Sequence, residues 1–224
     1  MLGLTRLLQL ASPTLPVGTY SYSGGLEMAI EDGIVTDAKT AEAWIRDVLE
    51  FGLGSFELPL LWRMSVALGD DDYAKFARWN TLFRSGRETA ELRTETLQMG
   101  HALGILLKDL PFCSADEVAR LHSIGALTYP AAYAFAVHHM QVDRQSALVA
   151  YLWSWLENQV MAALKAVPLG QSAGQRMLAS IGGELPAVAQ RATMLEDDEL
   201  TNFAPGLAIA SSRHETQYSR LFRS

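Results

Sequence analysis

Residues 15–27, LPVGTYSYSGGLE, crowd hydroxyls, glycines and one carboxylate into a single turn-rich stretch, the composition of a catalytic or phosphate-binding loop. Each such chemistry makes a demand that the residues can be checked against. A G-x-x-x-x-G-K-[ST] phosphate loop needs a lysine for the phosphates and a hydroxyl for magnesium, whereas Gly24 is followed by Gly25 and Leu26. A nucleophile elbow needs glycine two residues to either side of its serine; Ser23 has Ser21 before it and Gly25 after it. Glu27 could act as a general base, but no histidine lies within a few residues to complete a nucleophilic pair. A first-turn carboxylate ordinarily serves the helix dipole or a cap. No catalytic residue is therefore expected here. Pro13 and Pro16 stiffen the approach, Gly18 permits a turn, Ser23 can cap a helix over 24–31, and Tyr20 and Tyr22 offer rigid amphipathic faces. Two readings stand side by side: a docking loop, or a capped loop with two tyrosines packed on the core.

Metal and cofactor chemistry finds no better footing. The histidines are His101, His122, His138, His139 and His214, without H-x-x-x-H or H-E-x-x-H spacing. Adjacent His138 and His139 diverge by about 100° on a helix, an awkward geometry for one ion. The lone Cys113 follows Pro111 and Phe112 and reads as a small apolar filler; alone it forms no intrachain disulfide. The expectation is no metal and no cofactor.

The elements that must position these residues follow a 3.6-residue period, without convincing alternation of strand type. Helices are expected over 37–51, with Thr36 as a cap and Gly52 and Gly54 at the end, and around Pro59, in a first turn or at a kink. Another begins at 70–72, and a long one covers 85–110, where Gly100 and Gly104 lie one turn apart and invite close approach of another helix. Ser114 with Glu117 forms a capping box, Pro130 starts a helix over 131–140, and Asp143 caps a long helix through Lys165. Stretches at 171–180 and 185–195 complete an all-α, single-domain bundle of about ten helices over 1–210, followed by a tail at 211–224.

Composition narrows the partners. Of 224 residues 49% are hydrophobic, enough for a substantial core, and 19% are charged, below the about 25% usual for globular chains, so uncharged surface is available to a partner. A net charge of −7 argues against nucleic acid, whose binders need a basic face. The stretch 121–142 lacks Asp, Glu, Lys and Arg but contains His122, Gly125, Pro130, His138, His139 and Gln141, which favours a buried helix pair over a membrane span. No signal-type segment opens the sequence, and a cytoplasmic protein is expected. In the tail, Arg213, Arg220 and Arg223 against Glu215 give +2 and leave −9 of the total −7 on the rest. With Tyr218, Leu221 and Phe222 between the arginines, this segment suits an interface, as a self-docking strap or as an arm reaching another chain, and alone it is expected to be mobile.

LLQLASPTLPVGTYSYSGGLE at the start, RETAELRTETLQMGHAL at 87–103, AVPLGQSAGQRML at 166–178 and the terminal SSRHETQYSRLFRS closely resemble, in this order and over nearly the whole chain, the UreF-type urease accessory proteins. Gly24, where many relatives carry glutamine or a similar polar residue, and Tyr20, where phenylalanine is common, depart from the pattern, so side-chain contacts from those two positions are not carried over. The resemblance implies an all-helical, dimer-forming cytoplasmic protein with no chemistry of its own. It would join the UreD-type (also UreH-type) scaffold protein and the UreG-type GTPase in delivering nickel to apo-urease, and would regulate GTP hydrolysis as an activator or a fidelity checkpoint. On this resemblance Pro16, Gly18, Tyr20, Tyr22, Ser23 and Glu27 form a partner-binding loop whose glycines serve backbone geometry. Arg87, Arg93, Lys165, Gln171 and Arg176 are candidates to face the GTPase, and Arg213, Tyr218, Arg220, Leu221, Phe222 and Arg223 to bind the scaffold. One alternative is a direct GTPase activator with an arginine finger drawn from the exposed-looking Arg87, Arg93 or Arg176, worth about 10³ or more in the partner's turnover. A more remote one is a stand-alone helical enzyme pairing Glu27 with a distant histidine.

Overall fold

The computed structural model describes residues 2–224 and is all-α, with no strand among the described residues. In chain order the helices are α1 (Leu2–Leu10), α2 (Leu26–Glu31), α3 (Ala38–Val48), α4 (Leu58–Gly69), α5 (Tyr73–Ser85), α6 (Ala90–Asp109), α7 (Ala115–His122), α8 (Tyr129–His139), α9 (Arg144–Ala166), α10 (Gln171–Gly182), α11 (Leu185–Ala192) and α12 (Pro205–His214). Tyr129 to Val137 of α8 are all buried, as befits a helix apolar on every side, and α8 packs between α6 and α4. The stretch expected to be a buried helix pair is thus the end of α7 and the central core helix, and no described helix is long and apolar enough to cross a membrane. Tyr129, Tyr133 and Tyr151 form an aromatic wedge between α8 and α9, with ring centroids 4.9 to 6.1 Å apart.

Several boundaries differ from expectation for identifiable reasons. Asp37, not Thr36, caps α3: its Oδ1 accepts the Thr40 N–H at 2.8 Å while Thr40 Oγ1 accepts the Asp37 N–H at 3.0 Å. Gly52 and Gly54 do not end the helix. The backbone widens into a π-helical stretch, Leu49–Glu57, in which the Leu58 N–H reaches back to the Leu53 carbonyl, and continues into α4 with Pro59 at its start. Lacking side chains there, Gly54 admits Val188 of α11, which would stand 3.1 Å from an added Cβ. The long helix begins only at Ala90, because α5 runs on to Ser85 and Thr89 then caps α6 by accepting the Leu92 N–H at 3.1 Å. Helices α1 and α12 have no counterpart in the sequence expectation; both are short, and α12 shows no side-chain cap hydrogen bond.

The glycines of α6 take a close approach as expected, unequally, Gly100 against the segment that leads into α8 and Gly104 against the end of α7. A Cβ on Gly100 would lie 2.4 Å from the Leu127 carbonyl oxygen and 2.6 Å from the Thr128 carbonyl carbon, whereas one on Gly104 would meet His122 Cε1 at 3.3 Å. A backbone obstacle cannot swing aside, so Gly100→Ala is expected to lower the unfolding free energy by about 1–3 kcal/mol through overpacking. Gly104→Ala should cost clearly less, since helix propensity returns about 1 kcal/mol. Urea unfolding of the two variants checks this, and equal losses would mean that the α8 N-terminus yields.

Candidate functional site

The opening loop owes its shape to backbone conformations that favour glycine. Gly18, Gly24 and Gly25 have φ of 82°, 59° and 79°, and the chain between them makes a single 3-10 turn, Thr19–Ser21, before Tyr22 extends. α9 holds this path from beneath: Asn158 Nδ2 donates to the Tyr22 carbonyl at 2.9 Å and Gln159 Nε2 to the Ser23 carbonyl at 3.1 Å. Gly25 also lets α12 press close, since an added Cβ would meet Leu207 Cδ1 at 3.2 Å and the Ser211 nitrogen at 3.4 Å.

The tail comes back to this loop. Helix α12 runs through His214, past the expected 210/211 boundary, and the chain then turns and lies along 21–23. The Arg223 N–H donates to the Ser21 carbonyl at 2.7 Å, and the Ser23 N–H to the Ser224 carbonyl at 2.7 Å. Ser23 Oγ donates to the same Ser224 oxygen while accepting the Glu27 N–H, so it grips the tail and satisfies one first-turn amide of α2, whose N-cap is Gly25 and not the expected Ser23. The mobile arm expected of an isolated tail is, in this structure, a strap.

Glu27 is the centre of the strap. Its side chain is 7% exposed, and its carboxylate accepts the Leu221 N–H at 2.7 Å and the Phe222 N–H at 2.9 Å. His214, wholly buried, places Nε2 3.3 Å from Glu27 and Nδ1 2.7 Å from Glu91. Arg220 joins Glu91 at 2.8 Å, and Ser224 Oγ donates to Glu95 at 2.7 Å. Phe222 is buried, with the Lys165 ammonium 5.6 Å from its ring centre. Beneath lies a second polar group: Glu57, at the end of the π-helical stretch, accepts from both Arg87 and Tyr151 beside a cavity of about 80 Å³.

The structure thus unites the loop and tail residues and assigns them different exposures. Tyr22, Ser23 and Glu27 are buried, with Tyr22 Oη donating to Gln98 at 2.5 Å. Tyr20 is half-buried, and burial together with Glu157, 3.5 Å away, pushes its hydroxyl up to about 12. Pro16 and Gly18 face solvent, as do Arg213, Tyr218, Arg220, Leu221 and Arg223. Among the GTPase-facing candidates, Arg93, Lys165, Gln171 and Arg176 are exposed. Arg87 is not: its side chain is 14% exposed, ion-paired to Glu57 and stacked 4.4 Å above Phe83, which corrects its exposed-looking appearance in the sequence. Cys113 suits its role as filler, since burial, with Glu117 nearby, pushes its thiol up to about 11. Sequence reasoning missed Glu91, Glu95, Asn158, Gln159 and His214. The available signal was the acidic pair one turn apart on α6, set against a basic tail.

Loop and strap define a class: an all-helical body with a glycine-shaped loop, clasped by its own tail, which holds Tyr218, Leu221 and three arginines outward. The UreF family model matches residues 35–182. The chain is 54% identical, over 226 aligned residues, to "Urease accessory protein UreF" of Azoarcus sp. (strain BH72), covering 100% of this chain and 97% of that one. It is 49% identical to the protein of the same name from Methylobacillus flagellatus, covering 99% of this chain and 97% of the other. The Dechloromonas aromatica counterpart is 48% identical, with 100% and 98% covered. The chain belongs to the UreF family of urease accessory proteins.

Replacing Glu27 by alanine strands two tail N–H groups without their acceptor and leaves His214 with Glu91 alone. The expected outcome is a tail released from a body that still folds: limited proteolysis should cleave after Arg220 or Arg223 at least about tenfold faster than in the parent chain, from the loss of about 1.5–3 kcal/mol of charge-assisted hydrogen bonding. An unchanged cleavage rate would show that Glu27 is not what holds the strap.

Proposed function

We propose that this protein is a non-enzymatic assembly factor for the nickel centre of urease, bridging the UreD/UreH-type scaffold protein and the UreG-type GTPase on apo-urease and regulating GTP hydrolysis. It would act in the cytoplasm, as a homodimer within the complex. The observation that carries the reading is the outer face of the strapped tail. Tyr218 is fully exposed and Leu221 70% exposed, between the exposed Arg213, Arg220 and Arg223. Apolar side chains held outward by a fixed backbone, rimmed with guanidinium groups, have the composition of an interface hot spot. Membership of the family supports a partnership with other urease accessory proteins.

In this reading the 1–210 body is the scaffold for a docking segment at 211–224. Within that segment the buried Ser211 and His214 anchor, and Tyr218, Arg220, Leu221 and Arg223 engage the scaffold protein. Pro16, Gly18 and the outer part of Tyr20 extend the surface. Arg93, Lys165, Gln171 and Arg176 remain available to the GTPase. A second reading, direct activation through an arginine finger, is narrowed to Arg93 and Arg176 because Arg87 is already paired.

Deleting 215–224 leaves α12 whole, and the truncated chain is expected to stay helical yet lose the scaffold protein in co-purification; recovery at normal yield would refute the tail's role. GTP turnover by the UreG-type partner, measured with and without this chain, separates the two readings. An arginine finger should raise turnover by about 10³ and lose that gain in Arg93→Ala or Arg176→Ala, whereas an assembly factor changes complex formation with far smaller effects on turnover.

A further inference from the structure

We infer that the apolar groove between α3 and α12 is the docking site for a basic amphipathic helix of a partner protein. The groove has a volume of about 330 Å³ and shares no residue with the tail at 215–224, so its occupancy does not depend on what the tail binds. One wall is the segment 197–206, which runs antiparallel to α3, the π-helical stretch and the start of α4. Asp197 pairs with Arg63 at 2.7 Å, the Thr201 N–H donates to the Ser55 carbonyl at 3.2 Å, and Gly206 lies over Trp44, whose Cζ3 would stand 3.6 Å from an added Cβ.

Two phenylalanines stand at its mouth, Phe203 72% exposed and Phe51 52% exposed. Neither sits on a loose backbone. Phe51 belongs to the π-helical stretch, and Phe203 lies between Asn202, whose Nδ2 donates to the Gly86 carbonyl at 2.6 Å, and Pro205 in the first turn of α12. Ile209, three residues after Gly206 on α12, is exposed as well and extends the apolar face. A contiguous apolar face with rigid aromatic rings at its mouth gains from any partner that covers it.

Charge at the rim selects the occupant. Arg46 pairs with Glu42 and Glu184, Arg63 with Asp197 and Arg191 with Glu50, so the cations along this edge are committed. Asp47 in the groove wall and Asp198 on the turn that leads toward Phe203 are exposed, and neither enters an ion pair among the described residues. The complement of an apolar groove with uncompensated carboxylates is an apolar stripe flanked by lysine or arginine, as on an amphipathic helix seated in a groove. A second copy is the poorer occupant. A two-fold contact lays a patch on itself and would bring the same carboxylates of both copies together.

The test is fluorescence anisotropy on the full-length chain, with a labelled synthetic amphipathic helix of leucine and lysine as the probe and its leucine–glutamate counterpart as the control. The lysine helix is expected to bind and the glutamate helix not; equal binding of the two overturns the assignment. Phe203→Ser and Asp47→Lys, both at exposed positions, should each weaken the lysine helix at least about tenfold. Asp116→Lys, the same change of charge at an exposed position of α7, should stay within about twofold. Unchanged binding in the two groove variants, or an equal loss in Asp116→Lys, refutes the site. Should a groove variant fail to fold, amide chemical shifts of the parent chain decide: changes centred on 44–51 and 203–209 support the groove, and changes centred elsewhere end it. A doubled mass in light scattering that Phe203→Ser returns to the monomer would make the face a contact between copies of this chain and would likewise overturn the assignment.

Discussion

Glu27 places its side chain at a depth where a lone carboxylate costs several kcal/mol to desolvate, and the loop and the tail meet there because of it. Its position in the first turn of α2 provides a favourable dipole worth about 0.3–1 kcal/mol, too little to compensate alone. The balance comes from donors delivered by distant parts of the chain: two tail N–H groups and the ring of His214. Everything nearby serves that delivery. α12 has to end at His214, Gly25 has to lack a side chain so that α12 can approach, and Ser23 has to turn its hydroxyl to the tail. Removing one partner of such a buried group costs about 3–5 kcal/mol, far beyond what the exposed pair Arg191–Glu50 could supply.

This arrangement divides the loop into residues that hold and residues that show. Tyr22, Ser23 and Glu27 are spent inward, so whatever meets this end of the molecule touches Pro16, Gly18 and part of Tyr20, together with Tyr218, Leu221 and the tail arginines. The surface is a composite of two segments, and its outline depends on whether the strap is down. The inward residues shape the backbone that presents the outward ones.

Much of the fold was legible because its long helices repeat the same local message. Asp143 accepts from Ser146, Ser114 and Glu117 form their capping box, and Pro130 opens α8, each a statement written within four residues. The π-helical stretch was not legible: Gly52 and Gly54 carry the usual mark of a helix end, and only packing against α11 turns them into a continuation. At the site, the loop's lack of phosphate or nucleophile chemistry could be read directly, and so could the tail's interface composition. Its destination could not. Arginines interleaved with aromatics suit a partner chain as well as an acidic patch on the same chain. What decides between them is the alignment of Glu27, Glu91 and Glu95 in space, which no local pattern encodes.

The clasp also sets an order in time. Ser23 finds its partner 201 residues further along the chain, an interval of about 10–40 s at ordinary rates of synthesis. Late in that interval the glycine-rich loop and the Glu27 carboxylate can already exist, while the segment that covers them does not. A nascent chain therefore shows a face that the strapped protein hides, and anything binding before the tail emerges meets a different molecule from anything that arrives afterwards.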